Sequence, residues 1–388
     1  MRALVLVALI GAAAPAHADV IVVAQSGGGD FTNIQDAYVA SQVGDTILIR
    51  SGTYSGSVVT IDHALAIVAE PADDVIVTSL LQVIGLPENE AVVISGIDEL
   101  VWFRIIDSGG DIRLQEIGVL GSNAPGLFLD GARSVVVERC TLQGRDGYDG
   151  AGAGFAGGSA LIATGGSSVA LYDCELRAGD GGDGLSSFAC IAFGGAGATA
   201  AKVEEGSELY AMGSQFYGGD GGDGTCGGTD GPPGHALAVD DSSSAIVTNV
   251  ILIPGSGGIA TSGNAIVDLG IDRRGLVAPT LVREGETVTW RIFGRPGDMV
   301  YLPASLRPKW RYLAAALGVQ TFGFPLLAPL ELVGVIGQGS TMTLQVPSQT
   351  LAPGEESRTT FHQVFVLDSS GQRILGGGHA VVTIDDTF

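Results

Sequence analysis

The side chains with the clearest chemical potential are aspartates that recur inside glycine-rich runs. The run Gly-Asp-Gly-Gly-Asp-Gly occurs at 179–184 and again at 219–224, and 144–150 is a looser copy. Ca²⁺ binds carboxylate oxygens and backbone carbonyls in flexible geometries. The alternative is ordinary turn chemistry, in which Asp-Gly pairs close short solvated loops. The candidate calcium ligands are Asp146, Asp149, Asp180, Asp183, Asp220 and Asp223.

An apolar segment precedes each glycine-rich run, and these segments align with one another. The copies cover residues 134–142, 166–176, 206–216 and, more faintly, 244–252. Equivalent positions lie 34, 40 and 36 residues apart, as shown by Cys140, Cys174, Ser214 and Val250. Self-similarity at such periods is typical of stacked repeats.

Within each copy the apolar residues alternate, shift phase once and alternate again. A period of two indicates a strand, so each copy is predicted to hold two short strands joined by a bend. Stacking the copies in register buries columns of like residues, which predicts a parallel β-helix. The four predicted inward columns are Val135, Val169, Leu209 and Ala245; Val137, Leu171, Ala211 and Val247; Cys140, Cys174, Ser214 and Val250; and Leu142, Leu176, Phe216 and Leu252.

The charge balance restricts the partners of this chain. There are 42 Asp plus Glu and only 19 Lys plus Arg, for a formal net charge of −23. A charge of this sign argues against nucleic acids and anionic membranes as partners. The hydrophobic content of 46% is enough for a large core.

Residues 1–18 have the pattern of a signal peptide. Arg2 precedes an apolar run at 3–14, and Ala16-His17-Ala18 is a small-x-small cleavage site. We therefore expect an exported protein found outside the cell, at its surface or in the periplasm. No later run of that length lacks polar residues, so no transmembrane segment is predicted in the mature chain.

The residues that follow resemble a known family. The stretch Val23-Ala-Gln-Ser-Gly-Gly-Gly-Asp-Phe-Thr-Asn-Ile-Gln-Asp-Ala37, followed by 44–54, resembles the start of pectin methylesterases and other pectate-lyase-like proteins. The resemblance implies an N-terminal cap and the first coil of a right-handed parallel β-helix. Thr32 and Gln35 predict a capping box that starts a short helix at about Asn33 to Gln42. Such a helix would cover the open end of the solenoid.

The catalytic motifs of that family do not accompany the resemblance. Pectin methylesterases carry Gly-x-Gln-Ala and Asp-x-Ile-Phe-Gly, and neither occurs here. Phe293-Gly-Arg-Pro296 resembles part of their Leu-Gly-Arg-Pro-Trp motif, but Gly297 and Asp298 follow it, as in a turn between strands. Trp102, between Val101 and Phe103, is interpreted as a packing residue and not as a platform for sugars.

The composition changes near Asp272-Arg273-Arg274, where the glycine-rich repeats end. Alternating apolar residues and turn signals then predict a β-sandwich over 273–388, after a β-helix over 19–272. Residues 361–371 and 376–384 resemble C-terminal modules of secreted repeat proteins. The predicted fold is therefore all-β: a right-handed parallel β-helix with a C-terminal β-sandwich.

The four cysteines divide into two pairs. Cys140 and Cys174 share an inward column, and parallel Cβ vectors would strain a bond between them, so both are predicted to be free and buried. Cys190 and Cys226 lie in neighbouring glycine-rich excursions. They are predicted to form a disulfide in an exported chain.

Two classes of function remain open. The first is an exported, non-catalytic β-helix for surface structure, adhesion or binding of an extended polysaccharide. The second is a divergent carbohydrate-active enzyme of the polysaccharide lyase, pectinesterase or glycosidase type. The missing catalytic motifs favour the first, although a glycosidase needs only two suitably spaced carboxylates.

Overall fold

The computed structural model describes residues 18–71, 74–122, 125–185, 191–263 and 266–388. The predicted signal peptide, apart from Ala18, lies outside these residues. In the first two thirds of the chain, three parallel sheets run side by side, and each coil contributes one strand to each sheet. The fold prediction is confirmed, because stacked parallel strands of this kind form a β-helix.

Sheet 1 has ten strands in the order of the chain. Its strands are Val20–Val23, Thr46–Ile49, Leu65–Ala69, Ala91–Ser95, Asp111–Gln115, Val135–Glu138, Ser168–Tyr172, Glu208–Met212, Ser244–Thr248 and Ile266–Asp268. Sheet 2 consists of Gly52–Tyr54, Val75–Val77, Glu99–Leu100, Gly118–Leu120, Thr141–Gln143, Glu175–Arg177, Gln215–Tyr217 and Ile251–Ile253. Sheet 3 consists of Val59–Ile61, Leu81–Ile84, Phe103–Ile106, Leu127–Asp130, Leu161–Thr164, Ala201–Val203, Leu237–Val239 and Thr261–Ser262.

The register between coils is the one that the repeat alignment predicts. Val137 pairs with Leu171, Leu171 with Ala211, and Ala211 with Val247. The side chains of this column are buried within the solenoid. Like residues therefore stack along the axis, as the columns require.

A single residue in the left-handed conformation causes the phase shift within each copy. It lies between the strands of sheets 1 and 2, with φ of 50° at Arg139, 56° at Asp173, 67° at Gly213 and 49° at Asn249. The next residue, such as Cys140 or Cys174, then points inward again. The same bend at Glu116 (φ 53°) separates the strands Asp111–Gln115 and Gly118–Leu120.

A short helix, Ile34–Ala40, covers the N-terminal end of the solenoid and buries Ile34 and Ala37 in its core. The predicted capping box was wrong by one residue. The N-cap is Asn33, whose side chain accepts a hydrogen bond from the backbone N–H of Asp36 at 2.8 Å. Asn is a strong N-cap residue, and it replaces Thr32 in that role.

Two larger, mostly antiparallel sheets and a hairpin follow the solenoid. The three-stranded sheet consists of Gly275–Val277, Thr287–Phe293 and Thr341–Pro347. The six-stranded sheet consists of Leu281–Arg283, Met299–Tyr301, Ala304–Ser305, Leu332–Val335, Ser357–Leu367 and Arg373–Ile384. The hairpin pairs Pro308–Leu313 with Gly318–Phe322 around a 3₁₀ turn, Ala314–Ala316.

These C-terminal sheets lie along the outer face of sheet 1. Outward side chains such as Leu48, Val68 and Val136 are as buried as the solenoid core, because they pack against C-terminal residues. Tyr172 also donates a hydrogen bond from its hydroxyl to the carbonyl of Val319 at 3.4 Å. Sheet 1 is therefore covered on both faces over most of its length. Within the described residues, no helix is long and apolar enough to cross a membrane.

Candidate functional site

The glycine-rich runs are extended segments packed side by side, parallel between equivalent segments of successive coils and antiparallel between outgoing and returning segments. We call them the glycine blade: residues 144–158, 178–185, 191–198 and 218–234. Hydrogen bonds from 178–184 change direction with a period of three. The N–H groups of Ala178, Gly181 and Gly184 donate to carbonyls of the next coil, at Tyr217, Asp220 and Asp223. Those of Gly179 and Gly182 donate to Gly158 and Phe155 of the preceding coil. Three residues per turn without internal hydrogen bonds is the geometry of a polyproline II helix.

Close packing explains why these segments need glycine. A Cβ atom on Gly182 would lie 2.1 Å from the carbonyl oxygen of Tyr148, and one on Gly222 would lie 2.0 Å from that of Gly182. Collagen excludes larger residues from its axis for the same reason. The interpretation of the Asp-Gly pairs as turns was therefore wrong, because they belong to extended segments.

The remaining residue of each three-residue turn is one of the predicted aspartates, and its side chain lies at the surface. The N–H of Asp180 donates to the carboxylate of Asp146 at 3.0 Å, and the N–H of Asp220 donates to that of Asp180 at 2.7 Å. Asp149, Asp183 and Asp223 form a second ladder of the same kind. All six aspartates are exposed.

The ladders use the carboxylates to accept backbone hydrogen bonds. Across the described ranges, no group of three or more His, Cys, Asp or Glu side chains is placed to hold a metal ion. Each carboxylate nevertheless keeps further lone pairs. Calcium binding at the six aspartates stays a prediction.

The cysteines lie where the alignment places them. Cys140 and Cys174 are buried and unbonded, and burial raises the pKa of the Cys174 thiol well above its ordinary value. Cys226 is exposed in the glycine blade, and Cys190 lies outside the described residues. The predicted disulfide between Cys190 and Cys226 therefore stays a prediction.

A cleft lined by aromatic residues opens where the hairpin leaves sheet 1 uncovered. It has a volume of about 390 Å³. Strands Glu208–Met212 and Ser244–Thr248 form its floor, and strand Pro308–Leu313 forms one wall. We call it the aromatic groove, and it is lined by Glu208, Leu209, Tyr210, Ser244, Ile246, Trp310, Arg311 and Tyr312.

Packing fixes the rings of the aromatic groove. The ring centroids of Tyr210 and Tyr312 are 6.1 Å apart at an interplanar angle of 40°. The hydroxyl of Tyr210 donates to the carbonyl of Leu317 at 3.3 Å, so strand and hairpin hold this ring together. Burial raises the pKa of both tyrosines, which therefore stay neutral hydrogen-bonding groups at physiological pH.

One polar atom of the groove has no hydrogen-bond partner in the protein. The indole N–H of Trp310 is buried and unpaired among the described residues. A buried donor of this kind costs about 1–3 kcal/mol when it stays unsatisfied. Glu208 and Arg311 are exposed at the edge. The groove therefore offers aromatic faces and charged groups of both signs, whereas the indole N–H of Trp310 is shielded from solvent.

Sequence reasoning missed this groove because its two sides come from distant parts of the chain. Tyr210 belongs to the third repeat, and Trp310 belongs to the hairpin 100 residues later. The only signal was the segment Lys309-Trp-Arg-Tyr312, which is rich in the residue types that dominate binding sites. Trp102, which the sequence analysis did single out, has Arg104 stacked over its ring at 5.2 Å.

Comparisons with known proteins do not assign this chain to a family. No protein-family model and no curated protein matches this chain. One solved structure to which it is similar is a tailspike protein, gp49 of Acinetobacter baumannii bacteriophage Fri1, described as a capsular polysaccharide depolymerase. The match covers 89% of this chain and 72% of the tailspike chain, at 8% identity and a TM-score of 0.21. A TM-score this low carries no argument about function, and the resemblance to pectin methylesterases rests on the N-terminal residues alone.

Proposed function

We propose that this chain is an exported protein that binds an extended polysaccharide in the aromatic groove and does not cleave it there. The observation that carries the proposal is that three aromatic side chains, Tyr210, Trp310 and Tyr312, line one open cleft. Aromatic faces pack against the C–H faces of sugars. Clefts between packed units are common places for ligands.

The composition of the groove supports binding over cleavage. Glycoside hydrolysis requires two carboxyl groups on either side of the scissile bond. Among the residues that line the groove, Glu208 is the one carboxylate, and it lies at the exposed edge. We therefore assign Glu208 and Arg311 to hydrogen bonding with sugar hydroxyls.

The proposal is tested with the full mature chain and a panel of neutral, acidic and basic polysaccharides in affinity electrophoresis. We expect Trp310→Ala to weaken binding at least about tenfold, equivalent to roughly 1.4 kcal/mol. Trp102→Ala is the matched control, because it removes the same ring outside the groove. Equal affinity of the two variants for every bound polysaccharide would exclude the groove as the site.

A second measurement separates binding from catalysis. Each bound polysaccharide is incubated with the protein and assayed for new reducing ends and unsaturated products. We expect no products. Turnover that is lost in Trp310→Ala would make the groove an active site, and turnover lost when Asp180, Asp183, Asp220 and Asp223 are changed to Asn would place chemistry on the glycine blade.

A further inference from the structure

A serine, a histidine and an aspartate lie in hydrogen-bond order beside the capping helix. Ser41 Oγ is 3.2 Å from His63 Nε2, and His63 Nδ1 is 3.2 Å from Asp62 Oδ1. This is the order of contacts in a nucleophile–base–carboxylate triad, which is recognised by geometry and not by sequence position. The cluster lies outside the aromatic groove and the glycine blade.

Two elements bring the three side chains together. Ser41 follows the helix Ile34–Ala40, and Asp62 and His63 form the turn between strands of sheets 3 and 1. The helix covers the first coils, so its C-terminal end meets this turn. His63 keeps 20% of its side chain exposed, which leaves it accessible to a small substrate and to water.

Tyr38 holds the histidine and the aspartate in position. Its ring stacks on His63 with centroids 5.0 Å apart and an interplanar angle of 24°. Its hydroxyl donates to Asp62 Oδ1 at 2.7 Å. That hydrogen bond, with a second from His63, lowers the pKa of Asp62, so the carboxylate stays ionised and favours the proton on His63 Nδ1. His63 Nε2 is then free to accept the proton of Ser41.

We propose that Ser41 is the nucleophile of a serine esterase site that hydrolyses small carboxylic esters. Ser41 Oγ attacks the carbonyl carbon while His63 Nε2 takes its proton. The ester C–O bond then breaks, and the alcohol leaves with the proton from His63. His63 then takes a proton from water, and the resulting hydroxide attacks the acyl-serine. The bond between the acyl carbon and Ser41 Oγ breaks, the carboxylic acid leaves, and His63 returns the proton to Ser41.

Ser41 has a competing hydrogen bond in the resting state. Ser41 also lies 2.8 Å from the carbonyl of Tyr38, to which it donates in the resting state, so its hydroxyl must turn to His63 for reaction. This activity is independent of the proposed polysaccharide binding, and it has its own readout.

The test uses a fluorophosphonate probe on the full mature chain, with the labelled residue identified by peptide mass spectrometry. We expect labelling at Ser41 and none at Ser57, an exposed serine elsewhere on the first coils. His63→Gln should abolish the labelling. Hydrolysis of p-nitrophenyl acetate should fall by about 10²-fold in Ser41→Ala, a typical contribution of a positioned base and its nucleophile.

Thermal melting of each variant separates chemistry from folding. Tyr38→Phe keeps the ring and removes the hydrogen bond to Asp62, so it should slow ester hydrolysis while the chain stays folded. Ser57→Ala should leave ester hydrolysis unchanged, because Ser57 is exposed and lies outside the cluster. Equal labelling of Ser41 and Ser57, or unchanged hydrolysis in folded Ser41→Ala, would overturn the proposal and leave the cluster as a clamp for the helix.

Discussion

Glu138 shows how a charged residue can be buried between the solenoid and the C-terminal sheets. Its carboxylate bonds Arg139, lies 3.1 Å from His379 Nδ1 and accepts a hydrogen bond from Gln115 at 3.1 Å. Burial alone raises the pKa of Glu138, but the charges of Arg139 and His379 and the hydrogen bonds outweigh it, so the pKa is lowered. The stabilisation that ionised Glu138 contributes is therefore fully present above the pKa that this carboxyl has in the unfolded chain. It is lost as the pH falls through the lower pKa of Glu138 in the folded protein.

Removing this carboxylate should strongly destabilise the protein. We expect Glu138→Leu to lower the free energy of unfolding by about 3–5 kcal/mol, since it leaves buried charged partners unpaired. Glu116→Leu is the control, because Glu116 is more exposed and also pairs with Arg139, at 3.0 Å. Exposed pairs contribute about 0–1 kcal/mol. Urea unfolding at pH 7 measures the free energy of unfolding of both variants. Equal decreases in the two variants would contradict the role of burial.

His362 should make the protein less stable in mild acid. Burial lowers its pKa to about 3, while Trp290 packs edge-on at 4.7 Å between ring centroids. Because the unfolded chain binds a proton below about pH 6.5 that the folded chain does not, stability falls from that pH toward pH 3. At pH 5 the loss is about 2 kcal/mol. His362→Gln should lose less stability than the wild type between pH 7 and pH 5 in urea unfolding, and identical losses would contradict this.

At the scale of elements, the glycine blade is built by backbone contact and not by side-chain packing. Its segments approach so closely that their N–H groups donate directly to carbonyls of neighbouring segments in two directions. The third direction carries the aspartate ladders. The segments are therefore held together by backbone hydrogen bonds between neighbours, as in packed polyproline II helices.

A methyl group inside the blade should therefore be costly. A Cβ on Gly222 would lie 2.0 Å from the carbonyl oxygen of Gly182, so Gly222→Ala should destabilise the protein by about 1–3 kcal/mol through overpacking. Gly337→Ala is the control, because nothing lies within 4 Å of its Cβ position. Thermal unfolding compares the two. A Gly222 variant as stable as the Gly337 variant would mean that the segments separate easily.

At the scale of the whole molecule, the C-terminal sheets cover the outer face of sheet 1. They cover outward apolar side chains of sheet 1, including Leu48, Val68, Val93, Val136 and Tyr172. Burying a side chain of this size stabilises a protein by about 1.5–3 kcal/mol. The two parts should therefore depend on one another for stability.

A chain that ends at Asp272 should expose that apolar face. We expect it to aggregate or to bind the dye ANS strongly, because contiguous apolar patches of this size are rare on soluble monomers. Size-exclusion chromatography and ANS fluorescence of the truncated and full-length proteins provide the measurement. A monomeric truncated chain with weak ANS fluorescence would show that sheet 1 does not need its cover.

The sequence by itself determined the solenoid, because period-two alternation and a repeat of 34 to 40 residues leave few ways to bury the apolar columns. Val137, Leu171 and Ala211 pair as the alignment predicts. The sequence also indicated that strands separated by turns make up the C-terminal part, although it did not reveal the hairpin of Pro308–Leu313 and Gly318–Phe322.

Only the tertiary structure decided where distant segments meet. The extended glycine segments depend on hydrogen bonds between coils, which no local pattern of Asp-Gly pairs reveals. The aromatic groove joins Tyr210 to Trp310, and the cluster beside the capping helix joins Ser41 to His63, across different elements. Local propensity describes single segments, whereas these sites arise from the packing of one segment on another. That is the physical reason why the sequence predicted the elements well and missed the two sites.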